Sequence, residues 1–361
     1  MIVELVMYRL LLDETIAGKA YSEDVVYMKE HYIDSILDGF LPTGGWTVTA
    51  GATGLNNTTR FIEAGGERYV LRIYETHGDE EKVRYEYSVL QGLQQKQLPF
   101  RTPEPVPTLQ GGTLLRAEDG KLAALFRFIP GGTPALERET ELHSYGQVVA
   151  RLTQALAEVN VTEPPAYRPY YDIWHAHSRC RQPDVLSFCM SPPAAFADLK
   201  QELHSLAREL QRLEDHVPQL KQLPHQLVHG DLNASNMLAC QDGSISAILD
   251  FEFVTYDIRV MEPAVCLADF IRPGAADEEI WRRIPAFAKG YKSALHLAKE
   301  EAEVLPVLIL LRSLDVFLHF LGRYWDGKNE AERVRNQIVQ AAWRAEWLQG
   351  NGNRIVEAVL Q

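Results

Sequence analysis

The sequence predicts an α+β protein with two lobes, a strand-rich first lobe and a mainly helical second lobe. Three observations support this fold class. Short β-rich runs occupy the first third of the chain, helical apolar patterns dominate the rest, and one polar hairpin interrupts the helices. The 361 residues are enough for a large buried core, and 46% hydrophobic residues are typical of a globular protein. The cleft between two such lobes is the expected ligand site.

Strand signals fill the first lobe. The runs WTVTAGATG, NNTTRFIEA and ERYVLRIYE are rich in β-branched and aromatic residues, and Gly65 and Gly66 predict a hairpin turn between the last two. Apolar residues recur at helical spacing over residues 79–94, which predicts a helix there. The run KLAALFRFIPGG then predicts a buried strand that ends in a turn.

Helical patterns dominate after this turn. They predict helices at residues 140–159, 194–217, 277–299, 300–324 and 330–348. The sequence therefore predicts three parts: a helical extension at residues 1–44, a strand-rich lobe at residues 45–130 and a helical lobe at residues 131–361.

Charge and composition limit the partners of this chain. The net charge of −13, without a cluster of Lys or Arg, argues against nucleic acid as the main partner. It remains compatible with a nucleotide, because one triphosphate needs only backbone N–H groups, one basic side chain and a metal.

The cysteines and the apolar segments predict a cytoplasmic protein. The four cysteines form no CxxC pair and no zinc spacing, so we expect a reducing compartment. The apolar start carries Glu4 and Arg9 and lacks the pattern of a signal peptide. Charged residues interrupt the apolar stretch at residues 304–321, so a membrane span is not expected.

The strongest chemical signal is a polar loop that follows an apolar strand. Residues 229–236 read His-Gly-Asp-Leu-Asn-Ala-Ser-Asn, and residues 248–252 read Ile-Leu-Asp-Phe-Glu. Phosphoryl transfer needs an oxygen acceptor that aligns the attacking hydroxyl and hard oxygen ligands for Mg²⁺. Asp231 and Asn236 on one tight loop can point into a common cleft, and Asp250 after the next strand can complete a metal site. A hydrophilic turn between strands is the alternative interpretation.

The spacing HxDxxxxN, followed by a strand and Asp-Phe, resembles the catalytic and metal-binding loops of the protein-kinase-like fold. The forms His-Gly-Asp and Asp-Phe-Glu resemble the aminoglycoside phosphotransferase superfamily, which includes choline kinases and type II homoserine kinases. This resemblance covers about residues 45–325. It implies that ATP is the phosphate donor, that Asp231 is the catalytic base, and that Asn236 and Asp250 bind Mg²⁺.

Further matches concern the nucleotide. Residues 51–59 resemble the hairpin that covers the phosphates in this family, with Thr53, Asn56, Asn57 and Thr58 as candidate contacts. A flexible turn explains the same segment equally well.

Arg72 stands on the third strand where the family usually has Lys, so the phosphate geometry must differ. Glu86 on the following helix is its expected ion-pair partner, although a solvated surface glutamate is the alternative. Alternation along the strand predicts that Leu71 and Ile73 pack in the lobe core and that Arg72 faces the cleft.

Two more matches complete the resemblance. Phe128 and Ile129, before Pro-Gly-Gly, resemble the interlobe hinge that binds adenine through its backbone, which is compatible with a plain core strand. Glu262 matches the acidic residue that supports the backbone of the catalytic loop in this family.

Two polar sets are candidates for lining the acceptor pocket. The first is a polar-aromatic cluster: Tyr170, Tyr171, Asp172, Trp174, His175 and His177. The second set shares one helix face: Arg312, Asp315, His319 and Arg323. A solvated or salt-bridged helix face explains the second set equally well.

Three functions remain open on the sequence alone. The first is an ATP- and Mg²⁺-dependent kinase of a small hydroxylated metabolite that can carry an amine, and Gly-Leu-Asn-Asn-Thr at residues 54–58 favours a homoserine-kinase-like enzyme. The second is an aminoglycoside-type antibiotic kinase, whose cationic substrates suit the net charge of −13. The third is a nucleotide-binding pseudokinase that acts as an interaction module. Asp231, Asn236 and Asp250 argue against the third, and Arg72 argues for it.

Overall fold

The first lobe is an antiparallel sheet. The structure, a computed structural model, describes residues 31–42, 44–51, 57–75 and 80–361. The strands are β1 (Trp46–Ala50), β2 (Asn57–Ala64), β3 (Glu67–Tyr74), β4 (Pro105–Val106), β5 (Leu115–Arg116) and β6 (Leu122–Arg127). Their order is β1-β2-β3-β6-β4, and β5 pairs with β6. The expected helix is α1 (Glu80–Gln94).

The two faces of this sheet have different partners. Leu71 and Ile73 of β3 are buried against a cluster on the outer face, and Tyr74 belongs to the large core on the opposite face. The outer face is covered by residues 31–41, whose first seven residues are helical and which bury Ile36 and Leu37 completely. Of the predicted helical extension at residues 1–44, residues 1–30 and 43 lie outside the described part of the chain. The described part of the extension is therefore a component of the first lobe's core.

The second lobe is mainly helical. Its helices are α2 (Glu139–Leu156), α3 (Gln182–Met190), α4 (Lys200–Leu220), α5 (Met261–Phe270), α6 (Asp277–Lys292), α7 (Lys299–Glu303), α8 (Leu305–Trp325) and α9 (Ala331–Leu360). Two short ladders interrupt them, β7 (His225–Val228) with β10 (Thr255–Ile258), and β8 (Met237–Ala239) with β9 (Ile245–Ile248). The predicted α+β architecture with two lobes and one polar hairpin is confirmed.

Several predicted helix boundaries were wrong. The helix expected at residues 277–299 ends at Lys292, and the one expected at residues 300–324 is divided into α7 and α8. Pro306 lies in the first turn of α8, where a missing N–H is tolerated, so a helix begins there more readily than it continues through. The last helix extends twelve residues beyond its predicted end at residue 348, to Leu360.

Helices α2 and α6 approach each other so closely that only glycine fits at two contact points. A Cβ atom on Gly146 of α2 would lie 2.0 Å from the carbonyl oxygen of Phe287, and one on Gly290 of α6 would lie 2.0 Å from the carbonyl oxygen of His143. Real Cβ atoms do not approach carbonyl oxygens this closely. The two glycines therefore set the spacing of the helix pair behind the site.

Helix α8 forms part of the second lobe's core. Within the part of the chain that the structure describes, it is the one helix long and apolar enough to cross a membrane by length and composition. Its most apolar window of 18 residues is 56% buried inside the protein, as in the core helix of a soluble protein. Its residues Arg312 and Asp315 lie on the side that faces the site described below, and its buried apolar residues pack in the core.

The cover over the outer sheet face generates a testable prediction. Leu37→Ala should lower the free energy of unfolding by about 2–5 kcal/mol, because it leaves a cavity in a fully buried position. Urea-induced unfolding of the purified protein measures this change. Asp38→Ala, at an exposed position of the same segment, is the matched control and should stay within about 0.5 kcal/mol. Equal stability of both variants would show that residues 31–41 do not belong to the core.

Candidate active site

The polar loop at residues 229–236 lies between the two ladders of the second lobe. Strand β7 leads into it from Val228, which pairs with Thr255 of β10. The loop then enters β8, where Met237 pairs with Ile248 of β9. The Leu249 N–H donates to the carbonyl oxygen of Asn236 at 2.8 Å, which extends the ladder by one pair. The ladder therefore brings Asn236 and the residues that follow Ile248 to the same end of one hairpin.

The backbone at the start of the loop is fixed by a buried carboxylate. Glu262, at the start of α5, is fully buried and accepts hydrogen bonds from the N–H groups of His229 and Gly230, the second at 3.4 Å. Burial raises the pKa of Glu262 to about 8, and the two N–H donors oppose that rise. Gly230 has a φ of +81°, and a Cβ atom there would lie 2.9 Å from the carbonyl oxygen of Phe253. Glu262 thus supports the loop backbone, as its position in the sequence suggested.

His229 links the loop to the strand that carries Asp250. Its Nε2 lies 2.9 Å from the carbonyl oxygen of Leu249, and its Nδ1 accepts the N–H of Asp231 at 3.2 Å. These contacts fit a neutral ring with the proton on Nε2, and burial lowers the pKa of His229 in agreement. The histidine is therefore a structural link between the two functional segments, and its ring does not face the cleft as an acid or base.

Asp231 is held from two sides. Asn236 Nδ2 donates to Asp231 Oδ2 at 3.0 Å and to its backbone carbonyl at 2.9 Å. From the other side Arg312 Nη2 donates to Asp231 Oδ1. The first contact was implied by the five-residue spacing. The second joins the loop to α8, about 80 residues later, and no pattern in the sequence predicted it.

Asp250 follows β9 with a positive φ of +61°, a conformation that Asp tolerates better than most side chains. Its Oδ1 is buried and accepts no hydrogen bond from any described residue, and Arg72 Nη2 lies 3.3 Å away. No group of three His, Cys, Asp or Glu side chains within the described ranges could hold a metal ion alone. Asn236 and Asp250 supply hard oxygen donors, so these residues fit a divalent cation that also takes phosphate oxygens as ligands.

Arg72 connects the first lobe to this segment. On the cleft-facing side of β3, its Nη1 lies 3.2 Å from Glu86 Oε1 of α1, and its Nη2 lies near Asp250. The ion pair with Glu86 was predicted and is present. Burial opposes the charge of Arg72, but Asp250 and Glu86 raise its pKa well above the usual value. Burial raises the pKa of Glu86 to about 7, and Arg72 opposes this rise.

The residues predicted to cover the phosphates are only partly described. Thr53 and Asn56 lie outside the described residues. Asn57 is buried, and its Nδ2 donates to Glu252 Oε2 of the second lobe at 2.9 Å. Thr58 pairs with Ile73 on the outer face, where its hydroxyl donates to Glu75, so that hydroxyl is directed away from the cleft.

In the predicted hinge at Phe128 and Ile129, one of the two backbone N–H donors is already used within the sheet. The Phe128 N–H donates to the carbonyl oxygen of Arg68 at 3.0 Å, which continues the ladder between β3 and β6. The Phe128 ring contacts Phe61 with centroids 5.9 Å apart. Phe61 pairs with Val70 on the cleft-facing side, a position that the sequence analysis did not single out. Ile129 therefore follows the last paired residue of β6 and is the remaining hinge donor before Pro130.

The two polar sets proposed for the acceptor pocket meet at Asp231. Tyr170 Oη donates to the carbonyl oxygen of Gly230 at 2.6 Å and accepts from Arg312 Nη1 at 3.0 Å. Asp315 Oδ2 lies 3.6 Å from the same Nη1. The other residues of the first set lie apart from this contact, and Asp172 instead binds Arg168 and His175. One residue from each set thus reaches the loop at residues 229–236.

The chain is similar to known enzymes along most of its length. Residues 47–304 match the phosphotransferase enzyme family. A homoserine kinase of Sinorhizobium medicae (strain WSM419) is 27% identical over 272 residues, which cover 74% of this chain and 76% of that protein. A homoserine kinase of Beijerinckia indica subsp. indica is 28% identical over 262 residues, 71% of this chain and 74% of that protein.

Solved structures resemble this fold as well. A microcompartment-associated aminopropanol kinase has a TM-score of 0.64 and 18% identity, covering 92% of this chain and 99% of that one. An amicoumacin kinase in complex with AMP-PNP and Ca²⁺ has a TM-score of 0.63 and 19% identity, covering 89% and 93%. These likenesses confirm the protein-kinase-like fold that the loop motif predicted.

The buried carboxylate behind the loop generates a prediction. Glu262→Ala should lower the free energy of unfolding by roughly 2–6 kcal/mol, because two buried N–H donors lose their acceptor at about 1–3 kcal/mol each. Thermal and urea denaturation measure the change. Glu262→Gln keeps one acceptor oxygen and should lose less. A Glu262→Ala variant as stable as Glu346→Ala, a change on the surface of α9, would contradict this role.

Proposed function

The chain belongs to the phosphotransferase enzyme family and is a small-molecule kinase, and on this premise we propose that it transfers phosphate from ATP to a hydroxyl of a small metabolite with Mg²⁺ as cofactor. One observation carries the proposal. Asp231 lies beside Asn236, and Asp250 follows the strand paired with β8, so the proposed base and the two proposed metal donors lie at one end of a hairpin. The contact of Arg72 with Asp250 brings the cation that we propose to bind phosphate to the same place.

In the proposed reaction Asp231 is the catalytic base. The acceptor hydroxyl oxygen forms a bond to the γ-phosphorus of ATP, the bond from that phosphorus to the β-phosphate oxygen breaks, and the hydroxyl proton passes to Asp231. ADP leaves with the bonding electron pair. The protein forms no covalent bond to the phosphoryl group in this reaction. It contributes mainly by aligning the two substrates and by stabilising negative charge.

Asn236 and Asp250 would hold the divalent cation. When bound, such a cation neutralises the charge that develops on the phosphate oxygens. Asp250 Oδ1 accepts no hydrogen bond from a described residue and lies 3.3 Å from Arg72 Nη2, so this oxygen would bind the metal beside the guanidinium. Asn236 donates through Nδ2 to Asp231, which leaves its Oδ1 for the metal.

Arg72 and the hinge would hold the nucleotide. A guanidinium can bind two phosphate oxygens, or one phosphate and one carboxylate, where a lysine acts as a point charge. The Ile129 N–H is a candidate donor to the adenine, and the rings of Phe61 and Phe128 offer an apolar contact. Thr53, Asn56 and the backbone at Asn57 and Thr58 remain candidates for covering the phosphates.

We propose a hydroxy amino acid of the homoserine type as the acceptor. Both homoserine kinases described above match nearly three quarters of this chain. The amicoumacin kinase shares only 19% identity with this chain and supports the fold alone. An aminoglycoside acceptor is therefore an alternative outcome of the assay.

Transfer from ATP to L-homoserine, 1-amino-2-propanol and kanamycin tests the proposal. We expect phosphorylation of L-homoserine that requires Mg²⁺ and stops with EDTA. Asp231→Asn should lower kcat by roughly 10²- to 10⁴-fold, because the aligned base is lost. Asp215→Asn, at an exposed position on α4, is the matched control. Transfer to kanamycin alone would establish the antibiotic alternative, and no transfer to any acceptor would refute the homoserine-type assignment.

Arg72 generates a separate prediction. Arg72→Ala should raise the KM for ATP by more than about 10-fold, since a charge-assisted contact to phosphate is lost. Arg72→Lys should recover part of this loss, and Glu86→Gln should cause a smaller one by misplacing the guanidinium. Steady-state kinetics with varied ATP measures all three variants. Arg60→Ala, opposite Leu71 on the neighbouring strand, is the control. Unchanged ATP kinetics in Arg72→Ala would place the phosphate contact elsewhere.

A further inference from the structure

Arg312 of α8 contacts the proposed base Asp231, and the packing of α8 alone does not explain this contact. Its Nη2 donates to Asp231 Oδ1, its Nη1 donates to Tyr170 Oη at 3.0 Å, and Asp315 lies 3.6 Å from the same nitrogen. The guanidinium occupies Oδ1 of Asp231 while Asn236 Nδ2 occupies Oδ2, so both oxygens of the proposed base are engaged. A permanent contact of this kind would oppose the reaction that Asp231 is proposed to perform.

A small polar hollow lies beside this contact. It has a volume of about 190 Å³ and is lined by Asn233 of the catalytic loop, Asp269 of α5, Arg312 of α8, and Gln337, Gln340 and Arg344 of α9. Pockets for drug-sized ligands usually measure about 300–1,000 Å³, so this hollow suits a smaller molecule. Its lining includes both Asn233, from the loop at residues 229–236, and Arg312.

The two arginines of the hollow differ in what they can bind. Arg344 is buried, and its three nitrogens donate to the carbonyl oxygens of Ile271 and Ala268 and to Ser313 Oγ. Arg344 is therefore committed to the fold. The Arg312 side chain is 21% exposed, and its contacts named above use two of its five N–H donors. Arg312 is thus the cation of this hollow that can take another anion.

We propose that Arg312 is the specificity-determining residue for a carboxylate on the acceptor, and that its contact with Asp231 belongs to the acceptor-free state. This inference rests on the proposed function, because it assigns the anchor for the same acceptor. The carboxylate of the acceptor takes the guanidinium, and Oδ1 of Asp231 then becomes available to the acceptor hydroxyl. An acceptor without the acid group leaves the contact in place and reacts poorly.

Kinetics with two acceptors tests the inference. L-homoserine and its neutral amide differ in the group that Arg312 would bind. The parent should prefer the acid in kcat/KM, and Arg312→Gln should lower this preference by roughly 10- to 100-fold, mainly through a higher KM for the acid. Arg312→Lys keeps the charge but lacks the planar pair of donors, so its preference for the acid should lie between those of the parent and Arg312→Gln. Arg335→Gln is the matched control, because Arg335 lies on α9 but binds Asp198 away from the hollow.

The outcomes separate three roles. Equal losses with both acceptors would show that Arg312 acts only on Asp231, and a higher KM for ATP alone would assign it to the donor phosphates. Either result overturns the proposal. Isothermal titration calorimetry of the acid and the amide without ATP tests the inference separately from the proposed phosphate transfer. If the parent binds L-homoserine more tightly than the amide, if this difference depends on Arg312, and if no phosphate is transferred, the proposed function is refuted and the inference is supported. If the parent binds the acid and the amide equally well, the inference is overturned.

Discussion

The fixed backbone at His229 and Gly230 is the constraint on which the site depends. Glu262 accepts both N–H groups from inside the protein, where water cannot replace it. The same loop residue, His229, binds the carbonyl oxygen of Leu249. One buried carboxylate therefore sets the loop that carries Asp231, and one imidazole sets that loop against the strand that carries Asp250. The distance between Asp231 and Asp250 follows from these two links.

A second set of polar contacts orients the first lobe on this frame. Arg72 binds Glu86 within its own lobe and Asp250 across the cleft, while Asn57 binds Glu252. Partly buried ion pairs add little net stability, because desolvation offsets most of the attraction. The effect of the two contacts that cross the cleft is geometric, since both end on residues of the Asp-Phe-Glu segment. The orientation of the sheet is therefore coupled to the segment that would meet the metal and the phosphates.

Local chemistry could be predicted from the sequence, and distant contacts could not. The loop was predictable because Asp231 and Asn236 are close in sequence and so must lie close in space. The face of Arg72 was predictable because neighbouring residues of a strand alternate, which puts Arg72 and Leu71 on opposite faces of β3. Helical spacing showed that Arg312 and Asp315 share a face, but spacing does not say what that face meets. The contact with Asp231 depends on the packing of α8 against a loop 80 residues earlier. Thr58 shows the same limit, because sheet register decided its face.

The cover formed by residues 31–41 limits how far this protein can be truncated for expression. The family match begins at residue 47 and ends at residue 304, so a fragment chosen by similarity would omit the cover together with α8 and α9. Such a fragment would expose Leu71, Ile73 and Leu125 on one face of an antiparallel sheet, where contiguous apolar surface promotes self-association. Insolubility of the fragment would then reflect a missing piece of the fold, and it would carry no information about the intrinsic solubility of the enzyme.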